Sequence, residues 1–264
     1  MRIVPYIATL AAVLFIPQFG VQAAGISVNT GMTYEAQALP GSAYTGIIRL
    51  SNHGDRPSEV RLYQTDYFFT SNGDNRYDPP GSSHRSNAKW LRLATERLMV
   101  PPGEATDVGY RVQVPDDPSL KGSYWSMIMV EGGTAGENSR IAGGFRQKLR
   151  YGLQMITQIR STGSAHLEFL SPALRAREGR RLFFIDIRNA GEIWHDPEYW
   201  LALYDARGQE AGKVAGQGGR VFPGTSVRVT FDLTGFADGL YKVLAVADCG
   251  NDYLFGAKYT LKLK

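Results

Sequence analysis

The sequence predicts an all-β protein with two immunoglobulin-like β-sandwich domains in tandem after a cleaved signal peptide. Three observations predict it. Runs rich in Thr, Val, Ile, Tyr and Phe recur along the chain with Gly, Pro, Asn and Asp between them, as short strands and turns do. No stretch carries a convincing helical period. The two halves also echo each other. "VPPGEATDVGYRVQV" (100–114) and "FPGTSVRVTFDL" (222–233) both run from a Pro-Gly turn into an alternating strand. "SNHGD" (51–55) and "RNAGE" (188–192) both close a strand with N-x-G.

The bulk properties agree. At roughly 100–200 residues per domain, a chain of 264 residues fits two domains. Hydrophobic content of 43% against 20% charged calls for packed cores. A net charge of +4, with basic residues scattered rather than interleaved with aromatics, excludes a nucleic-acid partner. The densest basic run, "RAREGRR" (175–181), reads as a solvated turn.

At the N-terminus, Arg2 precedes the apolar run Ile3 to Ile16, Pro17 and Gly20 break it, and "VQA" ends at Ala23. This is a signal peptide with cleavage after Ala23. The run is shorter than the ~20 apolar residues a membrane span needs. The processed protein is expected to be exported and not membrane-spanning. The expected divisions are 1–23 for the signal peptide, 24–160 for the first sandwich and 165–264 for the second. The single cysteine, Cys249, cannot form an internal disulfide. A buried structural thiol, an intermolecular disulfide and a reactive thiol all remain open.

In the first half, strands are expected at 32–38, 43–52, 58–69, 90–100, 105–114 and 123–133, with a long polar loop at 70–89. The half ends in "LRYGLQMITQI" (149–159), about twice the usual strand length of 5–6 residues. Its odd positions are Leu149, Tyr151, Leu153, Met155, Thr157 and Ile159. In the second half, strands are expected at 165–172, 181–191, 198–208, 210–216, 226–233, 239–248 and 253–263.

Two apolar faces stand out. A two-sheet sandwich leaves one side of each strand wet. In "SYWSMIMVE", however, Tyr124, Ile128 and Val130 alternate with Trp125, Met127 and Met129. Either the second domain or the 70–89 loop covers the latter three, or they form a partner groove. The same choice applies to Leu149, Tyr151, Leu153 and Met155. They fill the core, or their strand lies at a sheet edge and pairs with an incoming strand.

No chemistry-bearing constellation appears. His53, His84, His166 and His195 are far apart and lack metal-ligand spacing. Asp74, Asn75 and Asp78 fall short of a calcium loop, because Arg76 occupies the next ligand position. No nucleophile elbow, phosphate loop or dinucleotide fingerprint is present. No enzyme, metal or cofactor is expected. "EIWHDPEYW" (192–200) groups Trp194, Tyr199 and Trp200, either as a sugar or peptide platform or as packing at a domain joint.

With these features in order, the first half resembles the periplasmic pilus chaperones of the PapD-like class. "GIIRLSNHGDRPSEVRLYQTDYF" is similar to their second and third strands. "RLMVPPGEATDVGYRVQVPDDPSLKGSYWSMIMVE" is similar to their proline-rich turn and central strand, and "QKLRYGLQMITQI" to their donor strand. The resemblance implies a periplasmic protein that lends a strand to a subunit of a pilus or other surface structure. An outer-membrane usher is implied as a further partner. Candidate partner-binding residues are then Leu149, Tyr151, Leu153, Met155, Trp125, Met127, Met129, Lys148 and Arg150. The class fixes a subunit's terminal carboxylate with an Arg on the first strand and a Lys on the donor strand. Here the first strand has neither residue, and the Lys position falls near Gln154, with Lys148 and Arg150 close by. The alternative reading is a cell-envelope structural or adhesion protein that binds wall polymer or glycan through its sandwiches.

Overall fold

The computed structural model describes residues 25–134, 149–250 and 253–264. The expected signal peptide at 1–23 and Lys148 lie outside the described residues. The first half forms β1 (Ile26–Val28), β2 (Thr33–Ala38), β3 (Ala43–Asn52), β4 (Ser58–Phe69) and β5 (Asn75–Asp78). It continues with β6 (Leu91–Leu93), β7 (Arg97–Val100), β8 (Ala105–Gln113), β9 (Gly122–Thr134) and β10 (Leu149–Ile159). The second half forms β11 (Leu167–Arg177), β12 (Arg180–Asn189), β13 (Glu198–Tyr204), β14 (Glu210–Ala215), β15 (Ser226–Asp232), β16 (Gly239–Asp248) and β17 (Leu254–Leu263). The described residues hold one short helical turn, Ala88–Trp90, and no helix long and apolar enough to cross a membrane.

The protein consists of two β-sandwiches. In the first, a sheet ordered β1-β3-β8-β6 faces a sheet ordered β2-β10-β9-β4-β5, with β7 also pairing β4. In the second, β11-β12-β15 faces β14-β13-β16-β17. Each pair encloses its own core. Ile48, Leu50, Leu62, Ile128, Val130 and Leu153 lie in the first, and Phe183, Ile185, Leu201, Phe231 and Val243 in the second. Period-two alternation fills each core from one face of every strand.

Several boundaries differ from the sequence expectation, each for a local reason. The 90–100 run is not one strand. Leu91–Leu93 pairs β8 in one sheet and Arg97–Val100 pairs β4 in the other, so the chain changes sheets between them. The polar loop at 70–89 contains β5, which folds back on β4. β11 runs past Pro172 to Arg177, because its register shifts between Leu170 and Ala173 and then resumes. Such a bulge absorbs the proline and Ser171, whose φ is 50°. The sequence reading missed β1, which is only three residues long.

The first strand region also changes sheets. Ile26–Val28 pairs β3, whereas Thr33–Ala38 pairs β10. Gly31 sits at the crossover with φ 87°, a conformation that side chains resist.

A half-open strand edge and the joint between the sandwiches

β10 pairs β9 antiparallel along its whole length, from Leu149↔Gly132 to Ile159↔Gly122. On its other side it pairs β2 in parallel, but only from Gln154↔Thr33 to Ile159↔Ala38. The Gln154 N–H donates to the Met32 carbonyl at 2.8 Å and the Arg160 N–H to Ala38 at 2.9 Å. Backbone groups alternate in direction along a strand. Those of Arg150 and Gly152 therefore point the same way as those of Gln154, beyond the end of β2. Among the described residues no strand pairs that side of Leu149–Leu153.

The apolar stripe lies differently from the donor-strand expectation. Leu153 is fully buried, Met155 and Ile159 nearly so, and Tyr151 is half-buried against the same core. The Tyr151 hydroxyl donates to the Ile26 carbonyl at 2.8 Å. Leu153 and Met155 are thus core residues, because β2 and the facing sheet close over them. The side chain of Leu149 lies outside the described residues.

Trp125, Met127 and Met129 are also buried, at 5%, 6% and 6% exposure, so they form no exposed patch. Trp125 is sealed by the second sandwich. Its ring stacks on Phe222 at 4.9 Å, and Phe222 in turn meets Trp194 at 6.0 Å and Phe69 at 6.1 Å. Ile156 completes this small cluster. The two methionines lie down over β10 at Gly152, where a Cβ would stand 2.3 Å from the Met127 Cε. Arg150 is committed to an ion pair with Glu131, which also accepts from the Tyr63 hydroxyl at 2.9 Å.

Polar bonds frame the aromatic joint. The Ser123 N–H donates to the Glu192 carbonyl at 2.7 Å, and the Trp194 N–H to the Ser123 hydroxyl at 2.8 Å. The Glu192 carboxylate takes Lys121 at 2.9 Å and Arg85 at 3.5 Å. The Lys121 bond, with help from the Ser164 N–H, holds the Glu192 carboxyl below its usual range. The Ser71 N–H donates to the Ser226 hydroxyl at 2.9 Å.

Beside the joint, Arg220 of the second sandwich reaches the start of the doubly paired part of β10. Its guanidinium bonds the Thr33 hydroxyl and donates to Gln154 Oε1 at 3.0 Å. Its Nε holds Asp196 at 2.9 Å, and the group lies 6.0 Å from the Trp194 ring centre. Where the resemblance calls for cations on the first strand and on the donor strand, the chain has Thr33 and Gln154. The cation arrives from 66 residues further on. No local sequence signal marks Arg220, because only tertiary folding brings it there.

The remaining candidates are dispersed. Trp194 belongs to the joint, Tyr199 to the second core, and Trp200 lies under Lys213, so the three aromatics form no common platform. Burial pushes the half-buried Cys249 thiol up to about 12. Among the described residues no group of three or more His, Cys, Asp or Glu is placed to hold a metal ion.

The sequence matches no family model, and no curated protein is significantly similar to it. Solved structures are similar in fold. One is a chain from a chaperone–tip adhesin complex of CFA/I fimbriae biogenesis, with a TM-score of 0.50 and 10% identity, covering 90% of this chain and 98% of that one. The chain shares its two-sandwich fold with that structure. The class 5 fimbriae chaperone CfaA is similar at a TM-score of 0.49 and 10% identity, covering 90% of this chain and 99% of its own. The Pseudomonas aeruginosa CupB2 chaperone reaches 0.44 at 12% identity, covering 89% of this chain and 98% of its own.

Proposed function

We propose that this protein is an exported chaperone that holds a subunit of a pilus-like surface assembly at the open edge of β10. The observation that carries the reading is the one-sided pairing of Leu149–Leu153. An exposed strand edge offers main-chain bonds to a guest strand. The structurally similar chain from a chaperone–tip adhesin complex of fimbriae biogenesis supports the same class of client. In this reading the leader at 1–23 sends the protein to the periplasm. The sandwiches occupy 24–160 and 165–264, an outer-membrane usher is the further partner, and no catalysis is involved. Leu149 and Tyr151 border the guest, whereas Leu153 and Met155 support it from the core. Arg220 takes the role of the missing first-strand cation and receives a client carboxylate in exchange for Gln154 and Thr33. A guanidinium fork suits that ligand.

The test is amide exchange on the complex that copurifies from an envelope extract. A bound guest strand slows exchange at Arg150 and Gly152, whose N–H groups face outward. Tyr151 and Leu153, already bonded to β9, change little. Unchanged exchange at Arg150 and Gly152 in the loaded complex defeats the proposal. Retention on a peptidoglycan or glycan resin, with no subunit copurifying, favours the wall-binding alternative.

A further inference from the structure

The outer face of β1-β3-β8-β6 lies on the opposite side of the first sandwich from the joint, and it carries an unusual pairing. Arg92 on β6 stands directly across from Arg111 on β8. Like charges directly opposite on a sheet repel. Both arginines are exposed, and neither is in an ion pair among the described residues. Arg92 bonds only the carbonyls of Lys89 and Leu91, and Arg111 only the Gln113 amide oxygen. Their cross-strand and diagonal neighbours, Thr45, Ala43, Ile47, Gly109 and Gln113, are all uncharged. The one carboxylate nearby on β8, Asp107, is clamped by both arms of Arg49 at 2.7 Å.

The next row of the sheet pairs Ile47 with Gly109. Ile47 is 48% exposed. Above Gly109 a Cβ would meet only the Ala94 Cβ, at 3.8 Å, so the sheet has a shallow dip there. One apolar wall, room for one side chain and two guanidinium groups without a carboxylate partner lie within two rows of the sheet.

We infer that this face docks an acidic segment of a partner protein, with one apolar side chain seated against Ile47 and Gly109 and flanking carboxylates on Arg92 and Arg111. Arginine forks match carboxylates two bonds at a time, and a bound carboxylate removes the repulsion that the free protein carries. The face is remote from the open edge of β10, so both can be occupied together.

The experiment uses fluorescence anisotropy with a dye-labelled Glu-Glu-Leu-Glu-Glu peptide, its Lys-Lys-Leu-Lys-Lys counterpart, and vesicles of phosphatidylglycerol or phosphatidylcholine. The whole protein should bind the glutamate peptide at least tenfold tighter than the lysine peptide. The variant R92Q/R111Q should lose that preference while its Tm stays level or rises, because a repulsion has been removed. I47S should weaken binding with the charge preference intact. Equal affinity for the two peptides, full binding by R92Q/R111Q, or preference for phosphatidylglycerol vesicles over the glutamate peptide would each overturn the inference.

Discussion

Phe222 of the second sandwich stacks on Trp125 of the first with ring centres 4.9 Å apart and planes 19° apart. Phe222 is fully buried yet belongs to neither main core. Its burial energy therefore acts between the sandwiches rather than within one. Truncating a buried Phe to Ala costs about 3–5 kcal/mol. Phe222→Ala should lower overall stability and separate thermal unfolding into two transitions, with a larger radius of gyration by X-ray scattering. A single transition and an unchanged scattering profile would show that the polar contacts alone hold the joint.

Gly152 is required by the flattened methionines. Gly152→Ala forces Met127 aside and should cost about 1–3 kcal/mol, the usual range for overpacking. Met127→Ala in the same chain should return much of that loss, giving a coupling of about 1 kcal/mol in a double-mutant cycle by urea unfolding. Strictly additive costs would place the strain elsewhere.

His195 is buried at 5% exposure against Tyr253 and Phe255, and its Nε2 has no partner among the described residues. Desolvation lowers its pKa from 6.5. The folded state then binds fewer protons than the unfolded state once pH drops below the unfolded pKa. Its contribution is neutral above about 6.5 and destabilising below, growing by up to about 1.4 kcal/mol per pH unit until the folded pKa is reached. Denaturant midpoints from pH 8 to pH 5 should fall in the wild type and fall less in His195→Gln. Parallel curves would refute this origin of the acid sensitivity.

Arg220 is about one-third exposed, so its ion pair with Asp196 adds little to stability. Arg220→Gln should leave Tm within about 2 °C of the wild type. A hydrogen bond to a charged group is worth about 1.5–3 kcal/mol, so client affinity should drop roughly 10- to 150-fold. The lost affinity should be the salt-sensitive part. Titration of the purified client against both proteins at two salt concentrations checks this.

Much of the fold was legible because β alternation is local. The strands at 43–52, 58–69 and 239–248 begin and end where the residue pattern does. The sheet change inside 90–100 was missed because its local mark is slight: the inward positions pass from the odd Leu91 and Leu93 to the even Leu98 and Val100, and only the distant partners show that each pair serves a different sheet. The length of β10 was plain from its alternation, but the burial of Leu153 and Met155 depends on β2, more than a hundred residues earlier. The apolar odd side of β9 correctly signalled two covered faces. That Phe222 covers Trp125 could be learned only from the tertiary fold. Arg220 was invisible for the same reason.

Gly31 acts as a ruler. The chain leaves β3 and joins β10 around it, so its place in the sequence determines how many residues of β10 stay vacant. Removing two residues between Val28 and Thr33 would drag the pairing along and lengthen the berth. Inserting two would let the protein's own first strand cover two more residues of it. A small change far from any guest could thus adapt the protein to a shorter or longer visitor while both cores stay as they are.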